Sequence, residues 1–388
     1  MSNKIAVVVT NRASYARILT VLRALHEDER IRLAIVLGGS AILERFGKTA
    51  DEMEKFPRAK IEKVNYSLEG GTLEAMAKST GLATIEMTSV LSRLHPQLVV
   101  TVADRFETLA TATAAAYLNI PLAHTQGGEV SGSIDNKVRH AVSQLADFHF
   151  PATKLASQKL MDMGIDSGRV YRFGCPAIDL ARQTDLSIKP DFFAERGASG
   201  EKIDATRPYL LFLQHPVTTD YGHQATEQFA EILRAADTCL SNGFQLVWLW
   251  PNIDAGSNAL VRSLRYFLKQ NEARKIVVFS NFVPEDYLKV IGNASCIVGN
   301  SSSGIREAAF LGIPAVNIGS RQSERERAHN VVNAGFSGEE IWSQVRHQVR
   351  IGRYSRSEIF GKGQAGVQIA KKLTEIVLSE SRMQRRSG

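Results

Sequence analysis

Ile5-Ala6-Val7-Val8-Val9-Thr10-Asn11-Arg12-Ala13-Ser14-Tyr15 opens the chain with a β-branched run, a polar turn and the start of a helical pattern. Leu33-Ala34-Ile35-Val36-Leu37 then returns to a strand. Strand, helix and strand in that order read as a βαβ unit. Apolar runs without alternation suit parallel strands covered on both faces.

The same rhythm continues. Ile61 to Val64, Leu98 to Val102, Leu122 to Thr125, Phe148 to Pro151 and Val170 to Phe173 read as strands, with helices such as Thr72 to Leu94 and Glu107 to Leu118 between them. From Gln183 to Pro208 the apolar period disappears while Pro190, Gly197, Gly200 and charges accumulate, as in an interdomain connection. Tyr209 to Gln214, Leu246 to Trp250, Ile276 to Phe279, Cys296 to Val298 and Ala315 to Ile318 then repeat the alternation. The chain of 388 residues exceeds what one core usually supports. Two doubly wound α/β domains facing one another are expected, over 1–182 and 209–365, joined by 183–208. The amphipathic stretch Val367 to Leu378, within 366–388, reads as a helix free to pack on either domain.

Composition excludes several classes. Apolar residues are 44% and charged residues 22%, which describes a packed globular protein. The net charge of +7 is dispersed, and Arg382, Arg385 and Arg386 read as a solvated tail; no nucleic-acid partner is expected. Cys175, Cys239 and Cys296 lie far apart, with no Cys-x-x-Cys pair and no His partners at metal-ligand spacing, so a cytosolic protein without structural zinc is expected. No signal peptide and no run of about 18 apolar residues is present, which predicts a cytoplasmic protein without a membrane partner.

In open parallel sheets, ligands bind beyond the carboxyl ends of the strands. After the first strand, Arg12 and the following helix N-terminus stand where a phosphate is held, although Ser14 reads equally well as an N-cap. Asp104 after Leu98 to Val102 is either a cap or an acid facing the cleft. His124-Thr125-Gln126-Gly127-Gly128-Glu129-Val130-Ser131-Gly132-Ser133-Ile134-Asp135 combines glycines with His, Glu and Asp. Its competing reading is a long turn with Asp135 capping the helix Asn136 to Leu145. His215 ends a strand of the second half, as a cleft residue or a satisfied loop histidine. Gly299-Asn300-Ser301-Ser302-Ser303-Gly304 offers backbone N–H groups and hydroxyls to a pyrophosphate. Glu307, on the next helical turn, is a ribose acceptor or a partner of the helix dipole.

Asp104-Arg105-Phe106, His124-x-x-Gly127-Gly128-Glu129, Ile134-Asp135, Arg139-His140, Gly174-Cys175-Pro176, His215-Pro216, Pro251-Asn252-Ile253-Asp254-Ala255-Gly256-Ser257, Asn300-Ser301-Ser302-x-Gly304-x-Arg306-Glu307 and Arg321-Gln322 together resemble the hydrolysing UDP-N-acetylglucosamine 2-epimerases of sialic-acid-type pathways. The resemblance implies two facing Rossmann-like domains, as in GT-B glycosyltransferases, a C-terminal helix crossing back to the first domain, and a homodimer or homotetramer. It implies elimination of UDP from UDP-N-acetylglucosamine and hydration to free N-acetylmannosamine, with no metal or nicotinamide cofactor. The same chemistry on UDP-N,N'-diacetylbacillosamine, feeding legionaminic-type acids, is the alternative. A GT-B glycosyltransferase and a nucleotide-sugar sensor without turnover are readings from other classes.

By similarity, Asp104 and Asp135 carry proton transfer and hydration, with Glu129 as a further acid and His215 and Arg12 at the diphosphate. Ser301, Ser302 and Gly304 fall at the phosphates and Glu307 at ribose. Asn252, Phe282 and Arg321 surround nucleotide or sugar, and Arg105, His124 and Gln126 complete the substrate contacts. Two departures stand out. Gln126 occupies a position where many members carry Glu, and an amide is no general base. Ser40 stands where relatives commonly place a histidine.

Overall fold

A computed structural model gives the fold and describes residues 3–43, 49–132, 134–196, 199–200, 202–217, 223–251 and 255–386. The first half carries β1 (Lys4–Val9), α1 (Arg12–Glu27), β2 (Arg32–Gly38), β3 (Lys60–Val64), α2 (Leu73–Leu94), β4 (Leu98–Val102) and α3 (Phe106–Tyr117). It continues with β5 (Leu122–Thr125), α4 (Ile134–Leu145), β6 (Phe148–Phe150), α5 (Lys154–Asp162) and α6 (Pro176–Gln183). The six strands form one parallel sheet in the order β3-β2-β1-β4-β5-β6. Both faces are covered, so β1 and β4 are buried along nearly their whole length.

The second half carries β7 (Ser199–Gly200), β8 (Tyr209–Leu213), α7 (His223–Ser241), β9 (Gln245–Leu249), α8 (Ser257–Gln270), β10 (Ile276–Phe279) and α9 (Pro284–Asn293). β11 (Cys296–Gly299), α10 (Glu307–Leu311), β12 (Ala315–Ile318), β13 (Val331–Ala334) and α11 (Gly338–Ile351) follow. Their sheet runs β13-β12-β11-β8-β9-β10-β7, parallel except for β7. α12 (Ala365–Arg386) ends the chain and lies on α1 and α6 of the first domain, burying Ile369, Leu373 and Val377. Asp179 of α6 fixes its start by accepting the N–H groups of Ala365 at 2.9 Å and Gly366 at 2.5 Å. Two doubly wound domains therefore face one another, as the strand and helix rhythm predicts.

Local details depart from the sequence reading. Val170 to Phe173 is not a strand: Val170 makes one isolated bridge to His149, and Tyr171 and Phe173 instead pack their rings on Phe150. Gly174, at φ 101°, then turns the chain into α6. The short edge strands β7 and β13 escaped the reading. In the connecting segment, Phe192 and Phe193 pack into the core of the second sheet. Asn11, not Ser14, caps α1; Asn11 Oδ1 accepts from Ser14 N at 2.8 Å while Ser14 Oγ accepts from Asn11 N at 3.1 Å.

The domains touch through several elements. Gly256 N donates to Gly71 O at 3.0 Å, Arg23 pairs with Glu285 at 2.5 Å, and Gly132 N donates to Arg321 O at 3.2 Å. A Cβ on Gly132 would collide with the Ser320 carbonyl, so glycine permits this approach.

Candidate functional site

Among the parallel strands of each sheet the order reverses direction at one place, between β1 and β4 and between β8 and β11. The loops after these strands open a crevice at the carboxyl ends. The two crevices meet in one cavity of about 440 Å³, lined by both domains.

The first domain supplies Arg12, Arg17, Asp104, Arg105, Ser131 and Asp135 to its wall. Asp104 is aimed by strain and by hydrogen bonds. Ala103 before it has φ 64°, a left-handed conformation unusual outside glycine. Its N–H donates to Thr125 O at 3.0 Å, and its carbonyl lies 2.7 Å from His124 Nε2. Arg105, not Asp104, takes the N-cap position of α3, which leaves the Asp104 carboxylate for Arg139. Arg325 of the second domain lies 3.7 Å away. Burial raises the Asp104 pKa, but the charges of Arg139, Arg325 and Arg17 outweigh it and hold the carboxyl well below its usual range. Asp135 sits in the first turn of α4, not before it, and meets Arg321 of the second domain at 3.6 Å. Arg105 is held by the fully buried Glu107, with Nε at 3.0 Å from Oε2.

The second domain supplies His215, Phe282, Tyr287, Ser301, Ser302, Ser303, Glu307, Arg321 and Arg325. Asn300 bridges β8 and β11: its Oδ1 accepts from His215 N and its Nδ2 donates to His215 O, both at 2.8 Å. Ser302 Oγ accepts from Arg17 at 2.5 Å, and Tyr287 donates to Ser303 Oγ at 2.9 Å. Arg12 donates to the carbonyls of Ser280 at 2.5 Å and Trp250 at 3.3 Å, so it ties the domains together as well as lining the cavity. Burial lowers its pKa. Phe282 has two environments, packing on Phe279 and Phe192 while contributing to the wall.

Four expected contacts lie outside the cavity. His124 is fully buried, with Nδ1 3.1 Å from Ser143 Oγ; burial pushes its pKa down to about 4, and as a neutral Nε2–H tautomer it holds the Ala103 carbonyl. Gln126 has φ 63°, which turns its side chain away from the cleft to donate to Cys175 Sγ at 3.4 Å. Gly304 packs toward Ala315 and Ile297 of the sheet rather than toward the cavity. Glu129 is buried behind the wall, where Arg306 NH2 donates to both carboxylate oxygens and Arg325 stands 3.5 Å away. Burial opposes its ionisation, but Arg306, Arg325 and Arg139 prevail and lower its pKa. Asn252 lies outside the described residues.

Sequence reasoning gave no site role to Arg17, Arg139, Arg325 or Tyr287, although Arg139 stands in the Arg139-His140 motif. Arg325 carried a usable signal, four residues beyond Arg321 in the loop after β12. Among the described residues no group of three or more His, Cys, Asp and Glu side chains is arranged to hold a metal ion, and no helix is long and apolar enough to cross a membrane.

The protein family described as UDP-N-acetylglucosamine 2-epimerase matches residues 23–374. The chain belongs to this family. A UDP-N,N'-diacetylbacillosamine 2-epimerase (hydrolyzing) of Legionella pneumophila is 31% identical over 378 residues, with 97% of each chain covered. A GDP/UDP-N,N'-diacetylbacillosamine 2-epimerase (hydrolyzing) of Campylobacter jejuni is 29% identical, covering 85% of this chain and 84% of its own. The fold matches the crystal structure of Methanocaldococcus jannaschii UDP-GlcNAc 2-epimerase in complex with UDP-GlcNAc and UDP, with a TM-score of 0.79, 18% identity, and 96% and 99% of the two chains covered. In this member of the 2-epimerase family Ser40 lies in the helical turn Gly39–Ile42 and does not line the cavity.

Proposed function

We propose that the chain is a hydrolysing UDP-sugar 2-epimerase that releases UDP and a free 2-epimeric acetamido sugar, with UDP-N,N'-diacetylbacillosamine favoured over UDP-N-acetylglucosamine as substrate. The observation that carries the reading is the shared cavity, in which Asp104 and Asp135 face the serine turn Ser301 to Ser303 across the domain boundary. The Legionella and Campylobacter relatives, both named as hydrolysing enzymes of diacetylbacillosamine nucleotides, support the substrate preference.

The chemistry suits these groups. A carboxylate removes the proton at C2 while the C1–O bond breaks and its electron pair leaves on the β-phosphate, giving a 2-acetamidoglycal and UDP. Water then adds its oxygen at C1, and a proton enters C2 from the opposite face. Asp104 and Asp135 are the two carboxylates for these transfers. The serine hydroxyls, Arg12, Arg17 and Arg321 receive the charge that develops on the diphosphate. Glu307 accepts from ribose hydroxyls and Phe282 borders the base. Gln126 faces Cys175 and takes no part in either transfer, so the amide at that position does not preclude turnover.

The test is to incubate the protein with each nucleotide sugar in deuterated, oxygen-18-labelled water and follow products by NMR and mass spectrometry. Free sugar carrying deuterium at C2 and oxygen-18 at C1 is expected, formed faster from the diacetylbacillosamine nucleotide. Asp104→Asn and Asp135→Asn should each slow it roughly a hundred- to ten-thousandfold. A UDP-linked epimer without free sugar would refute the hydrolytic reading, and equal rates on both nucleotides would refute the preference.

A further inference from the structure

Behind the acid end of the cavity, Arg139, Arg306 and Arg325 surround Asp104 and Glu129. Three guanidiniums thus face two carboxylates, and one positive charge is left over. Including the flanking Arg17, Arg321, Asp135 and Glu307 leaves the same excess.

The surplus can be placed. Arg139 donates to Asp104 and to Glu129 O, the latter at 2.7 Å, and Arg306 clasps both oxygens of Glu129. Arg325 comes no nearer than 3.5 Å to Glu129 and 3.7 Å to Asp104, and its buried Nε, like Nε and one terminal nitrogen of Arg306, has no hydrogen-bond partner among the described residues. Its side chain is 5% exposed, yet of the three arginines it alone lines the cavity. A buried guanidinium without hydrogen bonds is costly unless a ligand completes it. Burial, with Arg306 and Arg139 beside it, pulls its pKa down to about 9, which still leaves it charged at neutral pH.

Resting on the functional reading above, we propose that Arg325 contacts the substrate, donating to an oxygen of the β-phosphate, the group that departs from C1. A diphosphate is the anionic part of a UDP sugar, and an anion is what the surplus charge demands. The contact strengthens as the C1–O bond breaks, because the bonding electron pair collects on that phosphate. Arg325 therefore favours the transition state and the UDP product over the bound substrate.

Calorimetric titration with UDP and UMP tests the assignment on the wild type, Arg325→Gln and Arg325→Lys. Arg325→Gln should weaken UDP roughly ten- to a hundredfold and leave UMP unchanged, with Arg325→Lys in between. The substitution removes the surplus charge without stranding a carboxylate, so folding is expected to survive, and thermal melting checks it. Unaltered UDP affinity, or parallel losses for UDP and UMP, would overturn the proposal. Turnover lost with UDP affinity intact would assign Arg325 to the acetamido carbonyl instead and would equally overturn it. Wild-type protein that binds neither nucleotide would refute the functional reading, and the proposal with it.

Discussion

Glu129 and Asp135 belong to the same polar stretch of sequence, yet the structure gives the two carboxylates different surroundings, and one pair of variants separates them. Glu129→Gln leaves Arg306, 1% exposed at its side chain, with no anion at hydrogen-bonding distance among the described residues. The buried cluster then holds three guanidiniums against Asp104 alone. Removing one partner of such a pair costs about 3–5 kcal/mol, because the remaining charge stays desolvated. For domains of this size, each kcal/mol lowers Tm by about 2–4 °C, so a fall of roughly 10 °C is expected. Arg306→Met added to Glu129→Gln removes the stranded charge and returns the cluster to its original excess of one. The double variant should recover most of the lost Tm. It should also recover turnover, since Glu129 does not line the cavity. Scanning calorimetry and the free-sugar assay on both variants read the two outcomes. A double variant that melts normally but stays inactive would refute the reasoning and make Glu129 a proton-transfer group.

Three further perturbations follow from the geometry. His124 and His149 are both pushed down to about 4 by burial, against 6.5 in the unfolded chain. Above pH 6.5 both states are neutral and nothing is lost; as pH falls from 6.5 to 4 the unfolded state alone gains protons, and stability declines by up to about 3 kcal/mol per histidine. Urea unfolding at pH 7 and 4.5 should show that loss, and a flat profile would refute it. The lowered pKa values of Asp104 and Glu129 add their own loss only as pH falls below the usual carboxylate range. Gly132→Ala should place a methyl group against the Ser320 carbonyl and hold the domains apart, raising KM at least about tenfold with little change in Tm. An unchanged small-angle scattering profile with UDP present would contradict this. Asp179→Ala removes the acceptor for Ala365 and Gly366 and should cost about 1–2 kcal/mol, read as faster amide exchange over α12; undiminished protection would argue against the capping role.

The sheets were legible because their strands are continuous apolar runs that period and length both identify, as in Ile5 to Val9 and Leu98 to Val102. Val331–Ala334 was missed for the opposite reason: it is a half-exposed edge strand of four residues including Asn333. The candidate site was legible as residue types at strand ends, since topology places those positions at the crevice regardless of detail. Their direction was not. Gln126 and Ala103 each follow a strand in a left-handed conformation, and one such dihedral decides whether the next side chains point into the cavity or under the sheet.

Pairing across the domain boundary was the least readable feature, because it joins residues far apart in sequence, as Glu129 and Arg306 are. That pairing also explains how the loop can be rich in acids without all of them being reactive. A carboxylate clasped through both oxygens by a buried guanidinium is a weak base with its lone pairs already engaged. Glu129 therefore joins the domains, whereas Asp135 stands at the cavity wall, 3.6 Å from Arg321.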